Sequence, residues 1–134
     1  MKGLVALLLC VASFSAYSKS ELKCLAETVY HESRGESFYG RLAVAQVVVN
    51  RVQQDPWPNS ICRVVFQKNQ FSWTRGWKTW KHDRSSLAIA RLVLLQPEHP
   101  LMYFKATHFH SGNYPRSWPA LTHVKTIGKH HFYK

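Results

Sequence analysis

The run Leu42-Ala43-Val44-Ala45-Gln46-Val47-Val48-Val49-Asn50-Arg51-Val52 decides how this chain folds. It is apolar almost all the way round a helical wheel, which is the pattern of a helix buried on every side. Its valines would also suit a buried strand. Its length, its two alanines and its polar flanks favour the helix. Ser37 or Gly40 opens this core helix, and Pro56-Trp57-Pro58 ends it.

Toward the N-terminus lies Tyr30-His31-Glu32-Ser33-Arg34-Gly35-Glu36. Ahead of it, Leu22, Leu25, Ala26, Val29 and Tyr30 recur at helical spacing, with Ser20 as a capping residue. A helix over about 21–33 follows. Gly35 is expected to stop it in the left-handed conformation, which leaves Glu32 in the last turn.

Toward the C-terminus, Asn59 or Ser60 caps a short helix that runs through Phe66. Residues 67–81 are irregular and aromatic, holding Phe71, Trp73, Trp77 and Trp80. Ser85 or Ser86 opens another helix, with Leu87, Ala90, Arg91, Leu94 and Leu95 spaced for packing and Pro97 and Pro100 closing it. Beyond Leu101 the pattern alternates through Met102, Phe104, Thr107 and Phe109. Asn113–Pro119 is a turn-rich loop, and Val124–Tyr133 reads as a short strand or extended segment. There is no repeat, low-complexity tract or linker, and 134 residues suit a single domain. The fold class is α+β, mainly helical, with a short β segment.

Residues 1–18 read as a signal peptide, or as an uncleaved anchor. Lys2 precedes an apolar run too short for a comfortable membrane span, and Ala16-Tyr17-Ser18 offers small residues for a cut before Lys19. The remaining 19–134 form the working domain, exported to the periplasm or the extracellular space, with no stable membrane span after cleavage. In that oxidising setting Cys24 and Cys62 are a disulfide candidate, the other reading being two buried thiols. Eighteen Lys and Arg against seven Asp and Glu give a net charge of +11. Such a surface favours polyanions: nucleic acid, anionic lipid or an acidic wall polymer.

Glu32 is the first candidate for chemistry. A carboxyl half buried at the negative end of a helix has its pKa raised, which is what a proton donor needs near neutrality. The plainer reading pairs it on the surface with Arg34 or a nearby Lys. Glu36 more naturally caps the second helix or pairs with Arg34, Asp55 is a turn residue, and Asp83 lies in a basic segment. The scarcity of acids favours a mechanism with one carboxyl. His108 and His110 alternate, and His130 and His131 are adjacent, but no acid or cysteine stands beside them at ligand spacing. No metal and no other cofactor is expected. Aromatic residues in the loops suit a groove for a polymer, with sugar rings or bases stacked on their faces. The chain has no Gly-rich phosphate loop, no Gly-x-Ser-x-Gly and no paired-cysteine finger.

Taken together, several ordered motifs resemble the cell wall hydrolase family that includes spore-cortex lytic enzymes. They are Leu25–Glu36, Gly40–Val47 with Asn50-Arg51-Val52, Pro58–Cys62, Gln70–Trp73, Ala106–His110, Trp118 and Ile127–Tyr133. The resemblance covers about residues 22–133. It implies a small lysozyme-like fold and cleavage of the bond between N-acetylmuramic acid and N-acetylglucosamine in peptidoglycan. In lytic transglycosylase members a single Glu serves as acid and then base, and by position that residue is Glu32. Arg34, Phe71, Ser72, Trp73, His108, His110 and Trp118 become candidates for the glycan groove. The expected partner is then the peptidoglycan glycan strand, bound by a monomer, with no nucleic acid. Two rivals stand beside this reading: an exported basic module that binds wall or nucleic acid without catalysis, and a zinc amidase using the histidines.

Overall fold

The computed structural model describes residues 17–96 and 104–134. Most of the expected signal, 1–16, lies outside the described residues, as do Pro97, Pro100, Leu101 and Met102. Helix α1 spans Lys19–Ser33, α2 Phe38–Val52, α3 Ile61–Val65 and α4 Arg84–Leu95. A 3-10 turn at Ser72–Thr74 is the regular element of the aromatic segment. Strands β1 (His108–Ser111), β2 (His123–Ile127) and β3 (His130–Tyr133) form an antiparallel sheet in the order β1-β3-β2. Among the described residues no helix is long and apolar enough to cross a membrane.

Helix α2 is the organising element. Leu42, Ala45, Val48 and Val49 face α1, α3 and α4, where they pack with Leu25, Val29, Ile61, Val64, Ile89 and Val93. Ala43, Val44 and Val47 face the other way, onto Ala106 and Phe132 under the sheet. Each buried valine contributes about 1.5–3 kcal/mol relative to exposure. Polar side chains at the end of α2 fasten the chain leading into β1. Asn50 Nδ2 donates to the carbonyls of Phe104 and Ala106 at 2.8 Å each, and Arg51 Nε donates to that of Thr107 at 2.7 Å.

The helix starts follow capping chemistry, with two departures from expectation. Ser37 and Ser60 cap α2 and α3, accepting from Gly40 N and Arg63 N. Helix α1 starts earlier than expected, because Ser18 rather than Ser20 accepts from the N–H of Glu21. Asp83, not Ser85 or Ser86, caps α4, accepting from Ser86 N at 2.7 Å. A carboxylate at a helix N-terminus also meets the positive end of the dipole, so it outcompetes a hydroxyl two residues on.

Gly35 departs from the expectation as well. Arg34, which ends α1, is right-handed, and the left-handed glycines of the described chain are Gly76, Gly112 and Gly128. The stop is made by Glu36 N donating to Ser33 O at 2.9 Å while Ser37 begins the next helix. Cys24 and Cys62 are bonded, tying α1 to α3. In the loop-entropy account this closure is worth about 3–4 kcal/mol. Glu21 reinforces the junction by accepting from Ile61 N at 2.6 Å.

Candidate active site

Glu32 sits in the last turn of α1, partly buried, where two clefts meet. The first cleft, of about 660 Å³, is walled by Trp57, Phe71, Phe109 and Trp118, with Arg51 and His108 among its polar lining. Among the described residues Glu32 is the one acid that lines it. The second, of about 370 Å³, is polar: Arg34, Glu36, Ser111, Lys129 and His130 surround Glu32 from the other side. A carboxyl placed between an aromatic trough and a polar one has substrate room on both sides.

Burial raises the pKa of Glu32, and the charge of Arg51 opposes that rise without cancelling it. Its place at the C-terminal end of α1 works in the same direction as burial. Among the described residues none donates a hydrogen bond to the Glu32 carboxyl, so no protein donor offsets the cost of burying its charge. Arg51 is held firmly nearby. It donates to Thr107 O and to Gln70 Oε1 (3.3 Å), and its guanidinium lies over the rings of Trp57 (4.4 Å) and Phe71 (5.7 Å). Burial pulls its pKa down to about 10, with Glu32 pushing back, so it stays charged at neutral pH. Burial and then Arg51 hold His108 below the usual imidazole range, so its neutral form dominates at neutral pH.

Two nearby carboxylates are tied into the fold. Glu27 is fully buried and accepts from the backbone N–H of Lys81 (2.9 Å) and of His82 (3.0 Å), with His82 Nδ1 at 3.0 Å and His31 Nε2 at 3.1 Å. Burial alone would raise its pKa, but these hydrogen bonds outweigh burial and hold it below the ordinary value. Glu36 neither caps α2 nor pairs with Arg34. Its carboxylate lies under the β2–β3 turn, accepting from Lys129 N at 3.4 Å. A Cβ on Gly128 would collide with that carboxylate, and Gly128 has φ +58°, so the turn needs glycine on both counts.

Of the expected groove residues, Phe71, Ser72, His108 and Trp118 share the first cleft with Glu32, and Arg34 lines the second. Trp73 lies away from both. It stacks on His31 (4.6 Å between ring centres) and lines a third cleft. His110 is on the outer face of the sheet, with Nε2 3.0 Å from the Tyr133 hydroxyl. Sequence reasoning missed Arg51, hidden in an apolar run, and Trp57, taken as part of a helix-ending turn. It held Glu27 within a motif but gave it no role. Among the described residues no three His, Cys, Asp or Glu are grouped to hold a metal ion.

The sequence profile of the Cell Wall Hydrolase family matches residues 35–133, a span that begins just after Glu32. The chain is 29% identical over 120 residues to the spore cortex-lytic enzyme of Bacillus subtilis strain 168, covering 87% of this chain and 38% of that one. It is 30% identical over 122 residues to the spore cortex-lytic enzyme of Oceanobacillus iheyensis, covering 88% and 43%. A shorter match to the Bacillus cereus spore cortex-lytic enzyme is 40% identical over 58 residues, covering 43% of this chain and 22% of that one. The chain thus spans well under half the length of these curated relatives.

Two solved structures are similar over nearly their whole length. The catalytic domain of the Bacillus cereus SleB protein has a TM-score of 0.72 at 28% identity, covering 90% of this chain and 94% of that one. The catalytic domain of the germination-specific lytic transglycosylase SleB from Bacillus anthracis has a TM-score of 0.73 at 28% identity, covering 90% and 98%. The expected lysozyme-like, mainly helical architecture with a small sheet is therefore the one observed. By its profile match and by these shared folds, the chain belongs to the cell wall hydrolase family.

Proposed function

We propose that this domain cleaves the glycosidic bond between N-acetylmuramic acid and N-acetylglucosamine in peptidoglycan, with Glu32 as acid and then base. The observation that carries the reading is the position of Glu32 between two clefts, with a raised pKa and with the other nearby carboxylates committed to structure. A glycan strand laid across both clefts would place a sugar on each side of it. The aromatic faces of Trp57, Phe71 and Trp118 suit the apolar faces of sugar rings.

In this mechanism the Glu32 carboxyl gives its proton to the leaving glycosidic oxygen as the C1–O bond breaks. The ring carbon takes on positive character. The carboxylate left behind, steadied by the Arg51 charge, takes the proton of the muramyl 6-hydroxyl. That oxygen closes on C1, giving a 1,6-anhydro end and returning the proton to Glu32. No water is consumed and no second carboxyl is required, in contrast to a two-carboxylate glycosidase. Export forms part of the proposal, supported by the Cys24–Cys62 bond and the apolar start of the chain.

Mass spectrometry of fragments released from purified peptidoglycan, by this protein and by Glu32→Gln, tests the reading. Anhydromuramyl ends from the first and none from the second are expected. Reducing muramic ends would show that water attacks instead. Release of free amino groups, abolished by a chelator, would point to an amidase. No fragments, with binding that weakens steeply in salt, would leave a wall-binding module.

A further inference from the structure

A third cleft, of about 370 Å³, is lined by His31, Trp73, Gly76, Trp77, Lys78 and Lys81. We propose that it takes the peptide stem carried by a muramyl residue of the strand. This rests on the reading of Glu32 as acting on peptidoglycan, and it adds a feature of the substrate that the two main clefts do not address.

The first argument is connectivity. His31 lines both this cleft and the polar cleft that contains Glu32, so a single side chain borders both. The substrate is itself branched. The stem leaves the strand through the lactyl group of muramic acid, one of the two sugars joined by the bond that is cut.

The second argument is chemistry. A stem carries carboxylates and short aliphatic side chains. The cleft offers Lys78 and Lys81, both exposed, and no carboxylate lines it. Among the described residues neither lysine makes an ion pair. Two indoles supply the apolar surface. Trp73 is stacked on His31, and Trp77 packs edge-on against Trp80 at 4.8 Å and Phe66 at 5.3 Å.

The third argument is rigidity. The wall that carries the lysines has no helix or strand, yet it is pinned to α1 at Lys81 N and His82 N by the buried Glu27 carboxylate. The same carboxylate meets His31 Nε2, which sets the ring that stacks on Trp73. Glu27 is thus a positioning residue for both walls, and a preformed cleft loses less ordering entropy on binding.

Two measurements test the proposal independently. The first adds the free tetrapeptide L-Ala-γ-D-Glu-diaminopimelate-D-Ala and follows the indole N–H resonances of Trp73 and Trp77. Both are expected to shift, and the shifts are expected to vanish in Lys78→Ala/Lys81→Ala. Silent indoles, or shifts that persist in that variant, overturn the proposal. The second compares kcat/KM on stem-bearing strands with that on strands stripped by an amidase. The protein is expected to favour stem-bearing strands by about three- to tenfold, the scale of two exposed charge contacts, and the double variant is expected to lose the preference. No preference in the parent, or an equal loss on both strands, also overturns it. Cleavage with silent indoles rejects the stem site and leaves the chemistry of Glu32 standing. Shifting indoles without cleavage of either strand rejects the chemistry and leaves a peptide site.

Discussion

Glu27 and Glu32 stand five residues apart on one helix and live in opposite electrostatic settings. Glu27 is fully buried and receives N–H groups from another part of the chain, so its charge is welcome there. Glu32 is less buried but receives none among the described residues, so burial works against its charge. Burial alone therefore does not decide which carboxyl is suited to hold a proton. The supply of donors does, and the backbone N–H groups of Lys81 and His82 are delivered to Glu27 and not to Glu32. One carboxylate builds the walls and the other is left free to give up a proton.

The largest expected effect separates the two roles. Glu32→Gln lowers the rate of strand cleavage by at least about a thousandfold, a general-acid loss, while the melting temperature holds or rises. The rise follows because the raised pKa of Glu32 favours its protonated form in the folded state. That contribution is complete below the ordinary value of 4.5 and is lost as pH rises through the raised value, so the ionised group costs stability at neutral pH. Early unfolding of Glu32→Gln would show that the Glu32 carboxylate stabilises the fold.

Glu27→Ala does the converse. It removes the acceptor from several buried donors and costs about 3 kcal/mol or more in denaturant unfolding. The stabilisation from Glu27 is complete above pH 4.5 and fades as pH falls through its lowered folded value. Acid titration of stability in the parent and in Glu27→Ala should therefore converge at low pH.

Arg51→Gln sharpens the comparison from the side of Glu32. The loss of a buried, hydrogen-bonded charge costs about 2 kcal/mol of stability. The alkaline limb of the activity profile, set by Glu32 as acid, moves to higher pH once the opposing cation is gone. A limb that stays in place would assign that limb to another group. Glu36→Gln is the smallest change. It weakens one 3.4 Å hydrogen bond at the Gly128 turn, costs about 1 kcal/mol, and lowers activity by less than about tenfold. A much larger loss would make Glu36 a second catalytic carboxyl.

Much of this site was legible one residue at a time. The apolar run of α2, the caps at Ser37 and Ser60, the Cys24–Cys62 pair and the place of Glu32 in a last turn all follow from short-range patterns. The resemblance of the loop motifs brought Phe71, Ser72, His108 and Trp118 to the cleft. Arg51 read as one polar residue in a core helix, and nothing local marks it as reaching Thr107 and the rings of Trp57 and Phe71. Trp73 read like its neighbours in the loop, yet the 3-10 turn sends it against His31 instead.

The helices, their order and the family were readable along the sequence, because caps, periodicity and motif spacing act within a few residues along the chain. The tertiary structure decided which carboxylate is satisfied and which is not. That depends on where the N–H groups of Lys81 and His82 land after the chain reverses, and their distance from Glu27 along the sequence hides it. It also decided that Glu32 and His31 each border two clefts, because a cleft is a property of surfaces that meet, and no single stretch contains both walls.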